Sequence, residues 1–145
     1  MAADPDLPAD DPLPELIRFG LARAIQIHTD DLRARHAQLK IDLDLVDDEY
    51  LLPQETCLAL FQVFRAALEQ AVRRSTKMVA VRYYPLDQRM ILEIRADGEP
   101  LFATNRLEEQ PALEDRLRAV GGEILITYQD GEGSRIVAIA PINRA

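Results

Sequence analysis

The side chains able to do chemistry are few and scattered. His28 stands beside Thr29-Asp30-Asp31, a histidine next to acids, as a phosphoryl acceptor would be. The same histidine falls on an apolar stripe with Leu21, Ala24, Ile25 and Leu32, which favours a packed imidazole, because a phosphoacceptor must stay open to the enzyme that modifies it. His36, near the end of the same helical pattern, reads as a cap on helix carbonyls. Cys57 lies on the inner face of a second helix with no activating base nearby, so it reads as a small hydrophobe. Arg73-Arg74 at that helix's C-terminus satisfies the helix dipole or binds an anion. The acids Asp42, Asp44, Asp47, Asp48 and Glu49 read as a solvated strand face and loop; the glycine of a calcium loop is missing. Two histidines and one cysteine, none at ligand spacing, give no zinc site. No Gly-x-Ser-x-Gly elbow, Walker motif, dinucleotide fingerprint or catalytic carboxylate pair occurs, so the residues alone offer no independent enzyme.

Composition narrows the partners. The chain has 145 residues, 48% of them apolar, enough for one domain with a real core. Lys plus Arg number 17 against 25 Asp plus Glu, a formal charge of -8, which removes the counterion release that drives most nucleic-acid binding. Nucleic acid is not an expected partner. No apolar run approaches the roughly 20 residues that cross a bilayer, and the start lacks the basic residues of a signal peptide, so a cytoplasmic chain without membrane insertion is expected. The single cysteine leaves no internal disulfide.

The elements follow from periodicity. Met1 to Asp11 hold four aspartates, two prolines and no basic residue, and residues 1–12 are expected to be a solvated tail ahead of one domain over residues 13–145. Leu13, Leu16, Ile17, Gly20, Leu21, Ala24, Ile25, His28 and Leu32 predict a helix to about Ala37. Leu39 to Leu45 alternates as a strand does. A long helix opens at Pro53 and ends at Arg73-Arg74, with Cys57, Leu60, Phe61, Phe64, Ala67, Leu68, Ala71 and Val72 on one face. Met78 to Tyr84 and Met90 to Arg95 predict a hairpin turning at Pro85-Leu86-Asp87-Gln88. Ala96 to Pro111 reads as a loop, Ala112 to Val120 as a short helix stopped by Gly121-Gly122, and Ile124 to Tyr128 pairs with Arg135 to Ile139 around Asp130-Gly131-Glu132-Gly133. The order α-β-α-β-β-α-β-β predicts an α+β fold, a two-layer sandwich of helices on one face of a mostly antiparallel sheet.

That order resembles the ATP-binding domain of sensor histidine kinases, the GHKL or Bergerat-type ATPase fold, and is closest to the nitrate-sensor type. Residues Leu60 to Ala71 resemble the family's asparagine-box helix, Met90 to Gly98 its Asp-x-Gly strand and turn, Leu113 to Ile126 the helix and strand after the ATP lid, and Gly131-Glu132-Gly133-Ser134 the closing hairpin. The resemblance spans about Leu13 to Ile142. It implies a pocket bordered by Ala66, Gln70, Arg74, Ala96, Asp97, Gly98, Gly131, Gly133 and Ser134.

At those positions the chain departs from the family. The Glu and Asn that would bind magnesium four residues apart are Ala66 and Gln70, and the adenine-reading Asp falls on Ala96, one residue before Asp97. The next glycine is Pro100, and Leu101 to Gln110, where the glycine-rich lid should be, has no glycine and carries Glu108 and Glu109. The expectation is a degenerate site with no cofactor and no catalytic residue, in a domain that works as a protein-interaction module with a signalling partner, a response regulator or kinase-like protein. No phosphotransfer helix is expected before Leu13, so autophosphorylation in cis is not expected. The alternatives are an active domain that binds ATP with magnesium and acts as a histidine kinase or in trans on a partner, and a pocket kept for another small ligand, lined by Gln70, Arg74 and Ser134. The first helix and the Leu101 to Pro111 loop are the expected contact surfaces, with homodimerisation as an alternative use of the first helix. Leu101 and Phe102 are either a partner site or a plug in the vacated pocket.

Overall fold

Strand alternation decides the layers. In a computed structural model of the chain, which describes residues 20–48, 51–102 and 111–142, every second residue of the central strands is buried: Val79, Val81 and Tyr83, then Met90, Leu92, Ile94 and Ala96, then Ile136, Ala138 and Ala140. The elements are α1 (Leu21–Arg35), β1 (Lys40–Leu45), α2 (Gln54–Arg73), β2 (Met78–Leu86), β3 (Arg89–Ala96), α3 (Pro111–Ala119), β4 (Glu123–Gln129) and β5 (Gly133–Pro141). The sheet runs β1-β2-β3-β5-β4, with β1 parallel to β2 and the other neighbours antiparallel. The α+β, two-layer expectation is met.

The core is built on α2. Its positions Cys57, Leu60, Phe61, Phe64, Ala67, Leu68 and Ala71 are all buried and face β3 and β5, while α1 packs on α2 and β1, and α3 on α2 and β4. Fully burying Leu60, Phe61, Phe64 and Leu68 contributes about 1.5–3 kcal/mol each, and no other helix of the described residues buries as many large side chains. His28 lies edge-on to the rings of Phe61 and Phe64, each centroid 5.6 Å away, and is buried. It is a core residue of α1, not an exposed phosphoacceptor.

Three local expectations need correction. Gly20 is not a helical residue: it stands at the N-cap of α1 with φ 89°, and a Cβ there would come within 2.7 Å of the Asp48 carboxylate. Residues 13–19, read as the start of that helix, and the tail over residues 1–12 lie outside the described residues. The hairpin turns at Asp87-Gln88 alone, both at positive φ, because Pro85 and Leu86 stay in β2 beyond the reach of β1, where the missing proline N–H breaks no ladder bond. Asp48 is buried, whereas Asp42, Asp44 and Asp47 are exposed as expected and Glu49 lies outside the described residues.

Candidate functional site

The candidate site starts from α2. Ala66, Gln70 and Arg74 follow one another at four-residue spacing and so share one face of the helix and its C-cap. Ala66 and Gln70 are buried, and Arg74 is half-buried. From the sheet side, antiparallel pairing sets Ala96 at the end of β3 opposite Ser134 near the start of β5. Gly133 beside it has φ 94°, and a Cβ there would sit 2.1 Å from the Ala96 carbonyl oxygen, so only glycine permits this approach of the two strands.

Between helix and sheet runs the segment after Gly98. Arg74 Nε donates to the Leu101 carbonyl at 3.0 Å, and the Leu101 N–H donates to Ser134 Oγ at 3.0 Å. One peptide segment is thus held from both sides, and Leu101 and Phe102 are buried in the core. Of the two readings of that pair, the inward one describes this structure; the rest of the loop, residues 103–110 with Glu108 and Glu109, lies outside the described residues. Asp97 is bound elsewhere: its Oδ1 accepts from the Lys77 and Met78 N–H groups at 3.1 Å each, fastening the turn after β3 to the start of β2. Gly98 and Gly131 have positive φ with open space around them and answer to turn geometry alone.

The structure therefore brings Arg74, Leu101, Ser134, Gly133 and Ala96 together, sets the Asp97 backbone beside Gly133 with its side chain on Lys77 and Met78, and leaves Gly98 and Gly131 at two turns. Arg74 is not the exposed dipole-satisfying residue that its position beside Arg73 suggests. Magnesium prefers hard oxygen ligands in a near-octahedral set. At this site Ala66 and Ala96 have no side-chain donor atom, and Ser134 Oγ, Arg74 Nε and Asp97 Oδ1 already bond to the chain's own backbone. Gln70 adds one amide oxygen, so these residues fall short of the oxygen set that a magnesium nucleotide asks for. Among the described residues no group of three or more His, Cys, Asp or Glu is placed to hold a metal ion.

Two open concavities occur, the first sharing Gly133 and Ser134 with this site and the second apart from it. One, of about 280 Å³, is lined by Arg95, Thr127, Gln129, Glu132, Gly133, Ser134 and Arg135. The other, of about 310 Å³, lies between the ends of α1 and α2 and includes His28, Arg35, His36, Glu69 and Arg73. Neither includes Ala66, Gln70 or Ala96 in its lining.

Two polar centres were not foreseen. Asp48 accepts from the Leu21 and Ala22 N–H groups at 3.1 and 3.0 Å and from the Tyr83 hydroxyl at 2.7 Å, so it caps α1 from 27 residues away. Burial and the Asp48 charge push the Tyr83 hydroxyl well above the ordinary tyrosine range and the Cys57 thiol up to about 12. The second centre is Glu93, buried on the helix-free face, where Arg135, Arg95 and Arg82 approach it at 2.6, 3.1 and 3.9 Å. Burial would raise its pKa, but the hydrogen bonds from Arg135 and Arg95 prevail and hold it low. Only tertiary contact assigns these roles, and neither spacing nor composition carries that information.

The sequence matches no protein-family model and no curated protein. Solved structures do match in fold. The histidine kinase domain of the Erythrobacter litoralis blue-light activated histidine kinase EL346 superposes with a TM-score of 0.69 at 14% identity over 84% of this chain, which spans 61% of that domain and 43% of the longer EL346 chain. The Acinetobacter baumannii histidine kinase AdeS gives 0.64 at 17% identity, covering 93% of this chain and 76% of that one. The mycobacterial sensor histidine kinase MprB gives 0.58 at 17%, covering 83% and 93%. The fold is that of a histidine kinase-like ATPase domain.

Proposed function

We propose that this domain is a degenerate histidine-kinase ATPase-like module that acts by binding a protein partner in bacterial two-component signal transduction, in the cytoplasm, rather than by transferring phosphate. One observation carries the reading: three polar side chains of the candidate site bond to the chain's own backbone, Arg74 Nε and Ser134 Oγ on either side of the Leu101 segment and Asp97 Oδ1 on Lys77 and Met78. A ligand would have to displace those bonds while finding no carboxylate at Ala66 and no acceptor at Ala96. The partner belongs to the class that such domains meet, a response regulator or a kinase-like protein. Among the described residues no helix is long and apolar enough to cross a membrane.

Calorimetric titration with ATP, with and without magnesium, tests this. The expected result is no saturable heat down to an affinity limit of about a millimolar, roughly -4 kcal/mol. Magnesium-dependent saturation that Gln70→Ala abolishes would replace this reading with that of an active ATP-binding domain.

A further inference from the structure

The sheet has two edges, and only one is guarded. On β1 the exposed side chains are Lys40, Asp42 and Asp44, and alternating charge of this kind disfavours a foreign strand. On β4 the sequence is Glu-Ile-Leu-Ile-Thr-Tyr-Gln, with one charge at its first residue and no proline. Its ladder with β5 runs through seven consecutive pairs without a bulge. Half of its backbone donors and acceptors point away from β5, and no described residue bonds to the outward groups of residues 123–128. Leu125 on the helix-free face is 58% exposed.

We infer that β4 is a self-pairing edge, and that its occupant is β4 of a second copy of this chain, antiparallel and centred on Ile126. Full overlap of the seven residues sets this register. Glu123 of one copy meets Gln129 of the other, Ile124 meets Tyr128, Leu125 meets Thr127, and Ile126 meets itself. No like-charged pair is created at any position. The exposed Leu125 side chains become diagonal neighbours across the two-fold axis, within reach of each other on the helix-free face. The side-chain match thus agrees with the backbone, which satisfies its outward groups on both strands at once, and the two five-stranded sheets become one. A partner strand carrying acids opposite Glu123, or a charge opposite Leu125, would forfeit this match. The inference stands whether or not a nucleotide binds, because the edge shares no residue with the candidate cleft.

Sedimentation equilibrium of the full chain, from micromolar to about a millimolar, reads the result. A reversible dimer is expected, weakened at least tenfold by Leu125→Lys and by Thr127→Lys, which place opposed cations across the axis. Met78→Lys, at a side chain equally exposed on β2, is expected to leave the dimer unchanged, with circular dichroism confirming that each variant folds. Hydrogen exchange on the unmodified chain gives a second reading: the outward amides of β4 gain protection as concentration rises. A monomer at every concentration, a dimer indifferent to both β4 substitutions, or amides already protected in the monomer by the chain's own residues would each overturn the inference.

Discussion

Asp48 is the residue whose role departs most from its sequence context. It sits in an acidic run, yet it is the acceptor for two α1 N–H groups and the Tyr83 hydroxyl. Replacing it strands three buried or half-buried donors, so Asp48→Ala is expected to destabilise the fold by about 3 kcal/mol and Tyr83→Phe by about 1 kcal/mol. The double variant should lose less than the sum, since both changes remove one shared bond; urea denaturation measures all three. The same centre sets an alkaline limit. The folded Cys57 thiol keeps its proton up to about pH 12, against an ordinary value of 9.0. In that window the folded state binds the extra proton, so stability falls as pH rises, by up to about 1.4 kcal/mol per pH unit for each such group. Tyr83 adds to the loss from about pH 10 upward. Cys57→Ala should flatten the part of the decline that begins near pH 9, as read by denaturation midpoints between pH 8 and 10.5. Cys57 should also resist thiol reagents at pH 8 until the chain unfolds.

At the scale of elements, the strap between α2 and β5 is the feature to test. Arg74→Ala and Ser134→Ala each remove one bond to the Leu101 peptide, with an expected loss of about 1 kcal/mol apiece. Their distinctive signature is faster hydrogen exchange at the Leu101 amide, with the β2–β3 amides unchanged. Most elements were legible beforehand, because periods of two and of about 3.6 residues survive in single segments: α2 and every strand fall within two residues of where alternation and capping put them. Gly20 shows the limit. Its apolar spacing fits the helix, whereas its place at the N-cap depends on the approach of Asp48 from across the chain. The inward turn of Leu101 and Phe102 was equally hidden, because an apolar pair in a loop looks the same whether it meets a core or a partner. For the candidate site, the lack of a polar side chain at Ala66 and Ala96 can be read from the sequence, whereas the bonds of Arg74, Asp97 and Ser134 required the tertiary structure.

For the molecule as a whole, the chain has a histidine kinase-like ATPase fold in which Arg74 and Ser134 hold the Leu101 segment between α2 and β5. The formal charge of -8 adds to this, since a polyanionic nucleotide approaches an acidic chain against a net repulsion. The fold needs no bound ligand for its core, which rests on α2 and the inner faces of all five strands. The most direct test follows the backbone amides of Leu101, Gly133, Ser134, Asp97 and Gln70 by two-dimensional NMR while magnesium-ATP is added to about a millimolar, a limit near -4 kcal/mol. No saturable shift is expected at these five amides. A saturable, magnesium-dependent shift centred on Leu101 and Ser134 would show the strap giving way to a nucleotide, and would contradict a degenerate site.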